Sequence, residues 1–196
     1  MRPSGVYNGE SEDPGGSQSR VAKRVELLSS SEKMTHALGV GLGQVLHEGD
    51  LVCLQGELGS GKTHLTKGIA AGLGVTERVT SPTFIIVNEY SLAERRFKLY
   101  HVDLYRVESL AEARATGLDE YWSGSDICVI EWAERVRALL PADRLWVHLE
   151  HCSPSSRRMA FEACGPRSIE LLERFQPVMA RMLATRGVGS EASRCS

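Results

Sequence analysis

Gly56-Glu57-Leu58-Gly59-Ser60-Gly61-Lys62-Thr63 decides the reading of this chain. The stretch fits G-x-x-x-x-G-K-[ST], the phosphate-binding P-loop pattern. Before it, Asp50-Leu51-Val52-Cys53-Leu54-Gln55 is a short apolar run that reads as a buried strand. After it, Leu65, Ile69 and Leu73 recur at helical spacing. Strand, glycine-rich turn and helix form the arrangement the motif requires. Gly56, Gly59 and Gly61 allow φ > 0, so the backbone can turn its N–H groups inward around a phosphate. The helix opening near Lys62 aims unpaired N–H groups and the positive end of its dipole at the same place. Lys62 can reach the β- and γ-phosphates, and the Thr63 hydroxyl can coordinate Mg²⁺. The expected nucleotide contacts are therefore Glu57, Leu58, Gly59, Ser60, Gly61, Lys62, Thr63 and His64.

Outward from the loop, the next signals are two acids at strand ends. Asp126 to Trp132 (DICVIEW) is an apolar run that ends in Glu131. A buried strand that delivers a carboxylate at its C-terminal end has the Walker B shape, and ligands of open α/β sheets collect at that edge. Asp103 competes for the role, at the end of Phe97 to Tyr105 (FKLYHVDLY). Either acid can hold Mg²⁺, directly or through water, or orient an attacking water. Strand alternation places His101, Asp103 and Tyr105 on one face. His101 can tune the acid, contact phosphate, or be a packed core histidine. Val79 to Phe84 (VTSPTF) carries three hydroxyls, and Pro82 bars a regular helix there. Its place before a strand suits a loop over the nucleotide, or an ordinary polar turn.

The rest of the chain frames these signals. Residues 1–20 are rich in Gly, Ser and Pro and read as a disordered tail, as do residues 184–196. Residues 21–183 form the expected P-loop domain. Residues 22–28 suggest a first strand, and Ser29-x-x-Glu32 a capping box opening a helix that ends at Gly49. Gly39, Gly41 and Gly43 weaken that helix, by up to about 1 kcal/mol each relative to Ala. Phe84–Tyr90 and Phe97–Tyr105 read as a hairpin, residues 108–122 as a helix, and Ala133–Leu140 as a short helix. Arg144–Glu150 pairs with residues 157–163, and Ser168–Leu183 is an amphipathic helix. The expected fold is α/β, a P-loop NTPase with a mixed parallel and antiparallel sheet flanked by helices.

Composition excludes little beyond this. The 196 residues are 42% hydrophobic and 24% charged, which suits one core. No run of about 18 apolar residues predicts a membrane span. A formal net charge of −2 leaves no global basic footprint for nucleic acid. The five cysteines include no C-x-x-C pair, which argues against a zinc site. Their odd number and the P-loop together suggest a reducing cytoplasm.

GELGSGKT, TSPTF, YHVDLYR and IEWAERV-x-x-LLP, in this order and at these spacings, resemble the TsaE (YjeE) family. The resemblance covers about Val25 to Phe175. It implies a small bacterial ATPase required for the threonylcarbamoyl-adenosine modification of tRNA. Such a protein uses ATP and Mg²⁺, binds a TsaD–TsaB pair, meets tRNA only through that complex, and is not itself the threonylcarbamoyl transferase. It implies that TSPTF is a switch-like loop near the γ-phosphate, with Thr80 and Thr83 as contacts. Glu131 would be the Mg²⁺-linked acid beside Thr63, and Trp132 would lie beside the nucleotide. Asp103, Glu131 and Lys62 would form the catalytic set, with Asp103 assisting hydrolysis. Two other classes remain open at the level of residues: a small-molecule P-loop kinase and a nucleotide-binding module that does not turn over. The scattered arginines speak against the arginine-rich lid of the first, and a GTPase would need an N-K-x-D guanine reader.

Overall fold

The computed structural model describes residues 23–92 and 96–184. The expected tails lie outside the described residues, apart from Ala184, which ends the last helix. The strands are β1 (Lys23–Ser29), β2 (Leu51–Gln55), β3 (Val87–Ser91), β4 (Lys98–Asp103), β5 (Ile127–Glu131), β6 (Leu145–His151) and β7 (Arg157–Ala163). The helices are α1 (Glu32–Val45), α2 (Lys62–Gly72), α3 (Leu110–Ala115), α4 (Glu120–Ser123) and α5 (Pro166–Ala184). A 3-10 helix, Ala133–Leu139, follows β5 and kinks at Val136.

All seven strands join one sheet in the order β1-β7-β6-β2-β5-β4-β3. The pairs β6–β2, β2–β5 and β5–β4 are parallel, and the pairs β4–β3, β6–β7 and β7–β1 antiparallel. This is the expected mixed sheet. β2 and β5 are apolar almost throughout because both faces of the sheet are covered. On one face, Val52, Leu54 and Val129 pack with Leu38 and Leu42 of α1, Leu65 and Ile69 of α2, and Phe175 of α5. On the other, Cys53, Cys128, Ile130 and Trp146 pack with Ala113, Trp122 and Val136. Burial pushes the Cys53 and Cys128 thiols far up, so both act as small apolar groups. Trp122 and Trp146 are core residues.

Several boundaries differ from the sequence reading. The N-cap of α1 is Ser31, whose hydroxyl accepts from Met34 N, and not Ser29. Ser29 instead closes β1, fully buried, with its hydroxyl 2.8 Å from that of Thr35. The helix expected over 108–122 is two pieces, because Gly117 turns left-handed (φ +66°) between them. β3 begins three residues later than expected, since Ile85 and Ile86 close a turn on the Pro82 carbonyl. β4 ends at Asp103, so Tyr105 lies past the strand rather than on its face.

The glycines of α1 also have a different meaning from the one their propensity suggests. A Cβ on Gly39 would lie 2.3 Å from the Leu65 carbonyl, and one on Gly43 would lie 2.2 Å from that of Ile69. On α2, Gly68 and Gly72 face the His36 and Val40 carbonyls in the same way. The two helices cross backbone to backbone. That contact holds α2 close against α1.

Candidate functional site

The loop between β2 and α2 turns on glycines that need positive φ: Gly56 at +155°, Gly59 at +79° and Gly61 at +105°. A side chain at Gly56 would also strike the Leu149 carbonyl, at 2.4 Å. No side chain caps α2, so its first amides point into the bend of the loop. Lys62 curls back over the loop and donates to the carbonyls of Gly56 at 2.6 Å and Glu57 at 2.9 Å. Its ammonium also lies 3.8 Å from the centre of the Trp132 ring. Burial lowers the Lys62 pKa, while the charges of Glu131, Glu134 and Asp103 work against that shift.

The sheet delivers the two acids together. In the parallel register of β4 with β5, Asp103 stands opposite Glu131. Both are almost fully buried. Glu131 Oε2 accepts from the Thr63 hydroxyl at 2.8 Å. Its Oε1 accepts from Thr66 at 3.2 Å and lies 2.8 Å from His101 Nε2. Asp103 Oδ2 accepts from the hydroxyls of Ser81 and Thr83, both at 2.6 Å, and its Oδ1 from the Tyr105 amide at 3.0 Å. The TSPT segment is therefore tied to one acid and the P-loop helix to the other.

These groups surround a cleft of about 400 Å³. Of the expected site residues, Leu58, Gly59, Gly61, Lys62, Thr63, His64, Thr83, Asp103, Glu131 and Trp132 line it. The remaining expected residues lie elsewhere. Ser60 is fully buried and its carbonyl accepts from Arg157 Nε at 3.3 Å. Glu57 faces a second cavity beyond Trp132, beside Glu134, His148 and His151. Thr80 is exposed and packs its backbone against Tyr90 and Asn88. Ser81 takes the position in the cleft that the sequence reading gave to Thr80. Glu32 and Tyr105 also line the cleft and were not singled out as contacts. Thr66 could have been found, since it lies one helical turn beyond Thr63. Arg157 had no local signal, and Glu32 only that of a helix cap; their ion pair, at 3.5 Å, joins β7 to α1.

Two bulky residues carry left-handed backbone here, Ile86 (φ +69°) and Trp132 (φ +61°). Each costs of order 1–3 kcal/mol, and such residues gather at functional sites. The Trp132 conformation lays its ring against Lys62 and within 5.1 Å of the Tyr105 ring centre.

The donor set suits a magnesium nucleotide. Thr63 Oγ1 and Glu131 Oε2 are hard oxygen donors on one wall of the cleft. Mg²⁺ commonly takes one or two carboxylates and completes its shell with substrate phosphates and water. Loop amides, an α2 N-terminus and Lys62 supply the phosphate side.

The comparisons with known proteins agree with this geometry. The family model described as "Threonylcarbamoyl adenosine biosynthesis protein TsaE" matches residues 29–159. A Bacillus subtilis protein named tRNA threonylcarbamoyladenosine biosynthesis protein TsaE is 43% identical over 151 residues, 77% of this chain and 93% of its own. The protein of the same name from Treponema pallidum is 40% identical over 132 residues, covering 67% of this chain and 96% of its own. A crystal structure of YdiB from Bacillus subtilis superposes with a TM-score of 0.70 at 33% identity, covering 82% of this chain and 99% of that one. The matched span holds the P-loop, the TSPT segment and both acids, and on that ground the chain belongs to the TsaE family.

Proposed function

We propose that this chain binds ATP with Mg²⁺, hydrolyses it slowly alone, and supports a TsaD–TsaB complex in the threonylcarbamoyl-adenosine modification of tRNA. One observation carries the reading: the Thr63 hydroxyl and the Glu131 carboxylate meet at 2.8 Å, at the start of the helix that bears Lys62. A bound Mg²⁺ would neutralise charge on the phosphates and polarise them for attack. The loop amides and Lys62 bind and orient the triphosphate. Thr63 and Glu131 supply the metal's protein oxygens. Asp103, buried and held by three donors, presents a fixed acceptor to water at the same edge.

Slow turnover follows from what lines the cleft. An arginine on the developing charge can be worth ~10³–10⁵ in rate. Among the residues described as lining the cleft there is no arginine. Arg106 stacks on the Phe84 ring at 4.3 Å, and Arg157 donates to the Ser60 carbonyl and pairs with Glu32. Partner dependence is supported by exposed apolar side chains at the cleft and at the end of, and just past, the TSPTF segment. Leu58 is 73% exposed, Phe84 82% and Ile85 67%, the kind of surface that marks protein contact.

The test is phosphate release at saturating ATP and Mg²⁺, with and without TsaD and TsaB. The isolated chain should turn over more slowly than about once per second and speed up when the partners are added. Lys62→Ala should abolish nucleotide binding in calorimetry. Fast turnover alone, indifference to the partners, or unchanged ATP affinity in the lysine variant would defeat the reading.

A further inference from the structure

Glu131 has two oxygens with different surroundings. Oε2 meets Thr63 on the cleft side. Oε1 is turned inward, towards Thr66 and His101, both with no solvent exposure. His101 stands two residues before Asp103 on β4, next to β5. Its Nδ1 is buried and has no hydrogen-bond partner.

We infer that His101 is a positioning residue for Glu131, holding one carboxylate oxygen so that the plane of the group presents the other to Thr63 and the cleft. The carboxylate accepts, so the histidine must donate through Nε2–H. The neutral ring then leaves Nδ1 as a bare acceptor. That matches the orphaned atom, because a buried lone pair without a partner costs less than a buried N–H without one. The terminal torsion of a glutamate is broad, so without an anchor the carboxylate plane could turn and carry its free oxygen away from Thr63. Thr66 alone is a weaker anchor, with its 3.2 Å contact and a second hydrogen bond to the Lys62 carbonyl. The sequence left His101 open between tuning Asp103, touching phosphate and mere packing. Its full burial and its 2.8 Å contact place it instead on the other acid, Glu131. Partners of this kind behind a metal-linked group typically change metal affinity or activity by 10–100-fold when lost.

The inference rests on the proposed magnesium-nucleotide reading, and two measurements separate their fates. The first needs no ligand: nitrogen NMR of the histidine rings in the unliganded protein. His101 should show a protonated Nε2 in slow exchange and a bare Nδ1, and the signal should move in Glu131→Gln. A bare Nε2 would overturn the inference whatever the protein binds. The second is the Mg²⁺ dependence of nucleotide binding, followed by calorimetry in wild type, His101→Phe and His101→Gln, with Tm recorded for each. His101→Phe should leave affinity without Mg²⁺ unchanged and raise the half-saturating Mg²⁺ about tenfold. His101→Gln keeps an N–H donor and should recover most of that loss. In a Glu131→Gln background the phenylalanine should add less than about twofold, because the two residues act as a unit. A lower Tm with an unmoved Mg²⁺ midpoint would mean packing only and would refute the role. Should His101→Phe not fold, the glutamine variant and the ring spectrum still decide. A wild-type protein indifferent to Mg²⁺ would sink the nucleotide reading, and the positioning role toward a metal with it.

Discussion

At the scale of single residues, the site shows how burial sets chemistry. Lys62 and Glu134 illustrate opposite sides of it. Lys62 is buried among carboxylates that keep its charge tolerable. Glu134, just past Trp132, is half-buried, its Oε2 has no partner, and burial raises its pKa above the ordinary 4.5. The charges of Lys62, Arg135 and Arg137 only partly offset that rise. A raised pKa means the folded state holds the proton more tightly than the unfolded chain. The resulting stabilisation is complete below 4.5 and is lost as pH rises through the folded value. Above the folded value the ionised Glu134 is therefore a burden. Glu134→Gln should raise Tm at pH 7, and the gap to wild type should close on acidification below about 4.5. Thermal melts across pH measure this, and an advantage that persists unchanged at acid pH would point to a cause other than ionisation.

Among elements, the crossing of α1 and α2 carries the clearest lesson. Helix propensity alone predicts that Gly→Ala in a helix interior gains about 1 kcal/mol. At Gly68 the sign should reverse, because the added Cβ would lie 2.2 Å from the His36 carbonyl and 2.9 Å from Gly39 Cα. Backbone cannot step aside as a side chain can. Gly68→Ala should therefore destabilise by roughly 1–3 kcal/mol or more. Gly41→Ala is the milder case: its Cβ would lie 2.7 Å from Val178 Cγ1 and 3.3 Å from Met182 Sδ, which are side chains rather than backbone. Urea titrations of both variants should rank Gly68→Ala well below Gly41→Ala. Equal stability would mean that the helices are not locked together. Because α2 also bears Lys62 and Thr63, loosening this contact should weaken nucleotide binding as well.

In the molecule as a whole, the sheet keeps its structural anchors and its chemistry at opposite ends. Asp50, just before β2, is 2% exposed and joins the last helix to the central strands. It accepts from His47 N at 2.8 Å and Arg167 Nε at 2.7 Å, with Arg174 at 3.5 Å. The P-loop begins at the other end of β2, ~17 Å away at the rise of a strand. Asp50→Asn keeps the shape but weakens charge-assisted bonds. It should cost about 2 kcal/mol, less than a fully buried pair because Arg167 is half-exposed. Urea unfolding should show the loss with an unchanged m-value, and nucleotide affinity should stay at the wild-type level. A binding defect in this variant would show that the two ends of the sheet are coupled.

The sequence by itself determined the class of fold and most of the cleft. Eight residues of P-loop, an apolar strand on either side of the motif's layer, and acids at strand ends are local patterns, and local patterns survive without knowledge of contacts. Ten of the expected site residues line one cleft for this reason. Only tertiary structure decided the rest. The choice of Ser81 over Thr80 depended on how the turn at Pro82 faces β4. The partnership of Asp103 with the TSPT hydroxyls, and of Glu131 with Thr63, depended on strand register. The glycines of α1 read as helix weakeners until α2 lay against them, and nothing local marked Arg157 until β7 brought it to Ser60. Periodicity records which face of an element is buried. It does not record what that face is buried against, and hydrogen-bond partners tens of residues apart are set only when the sheet closes.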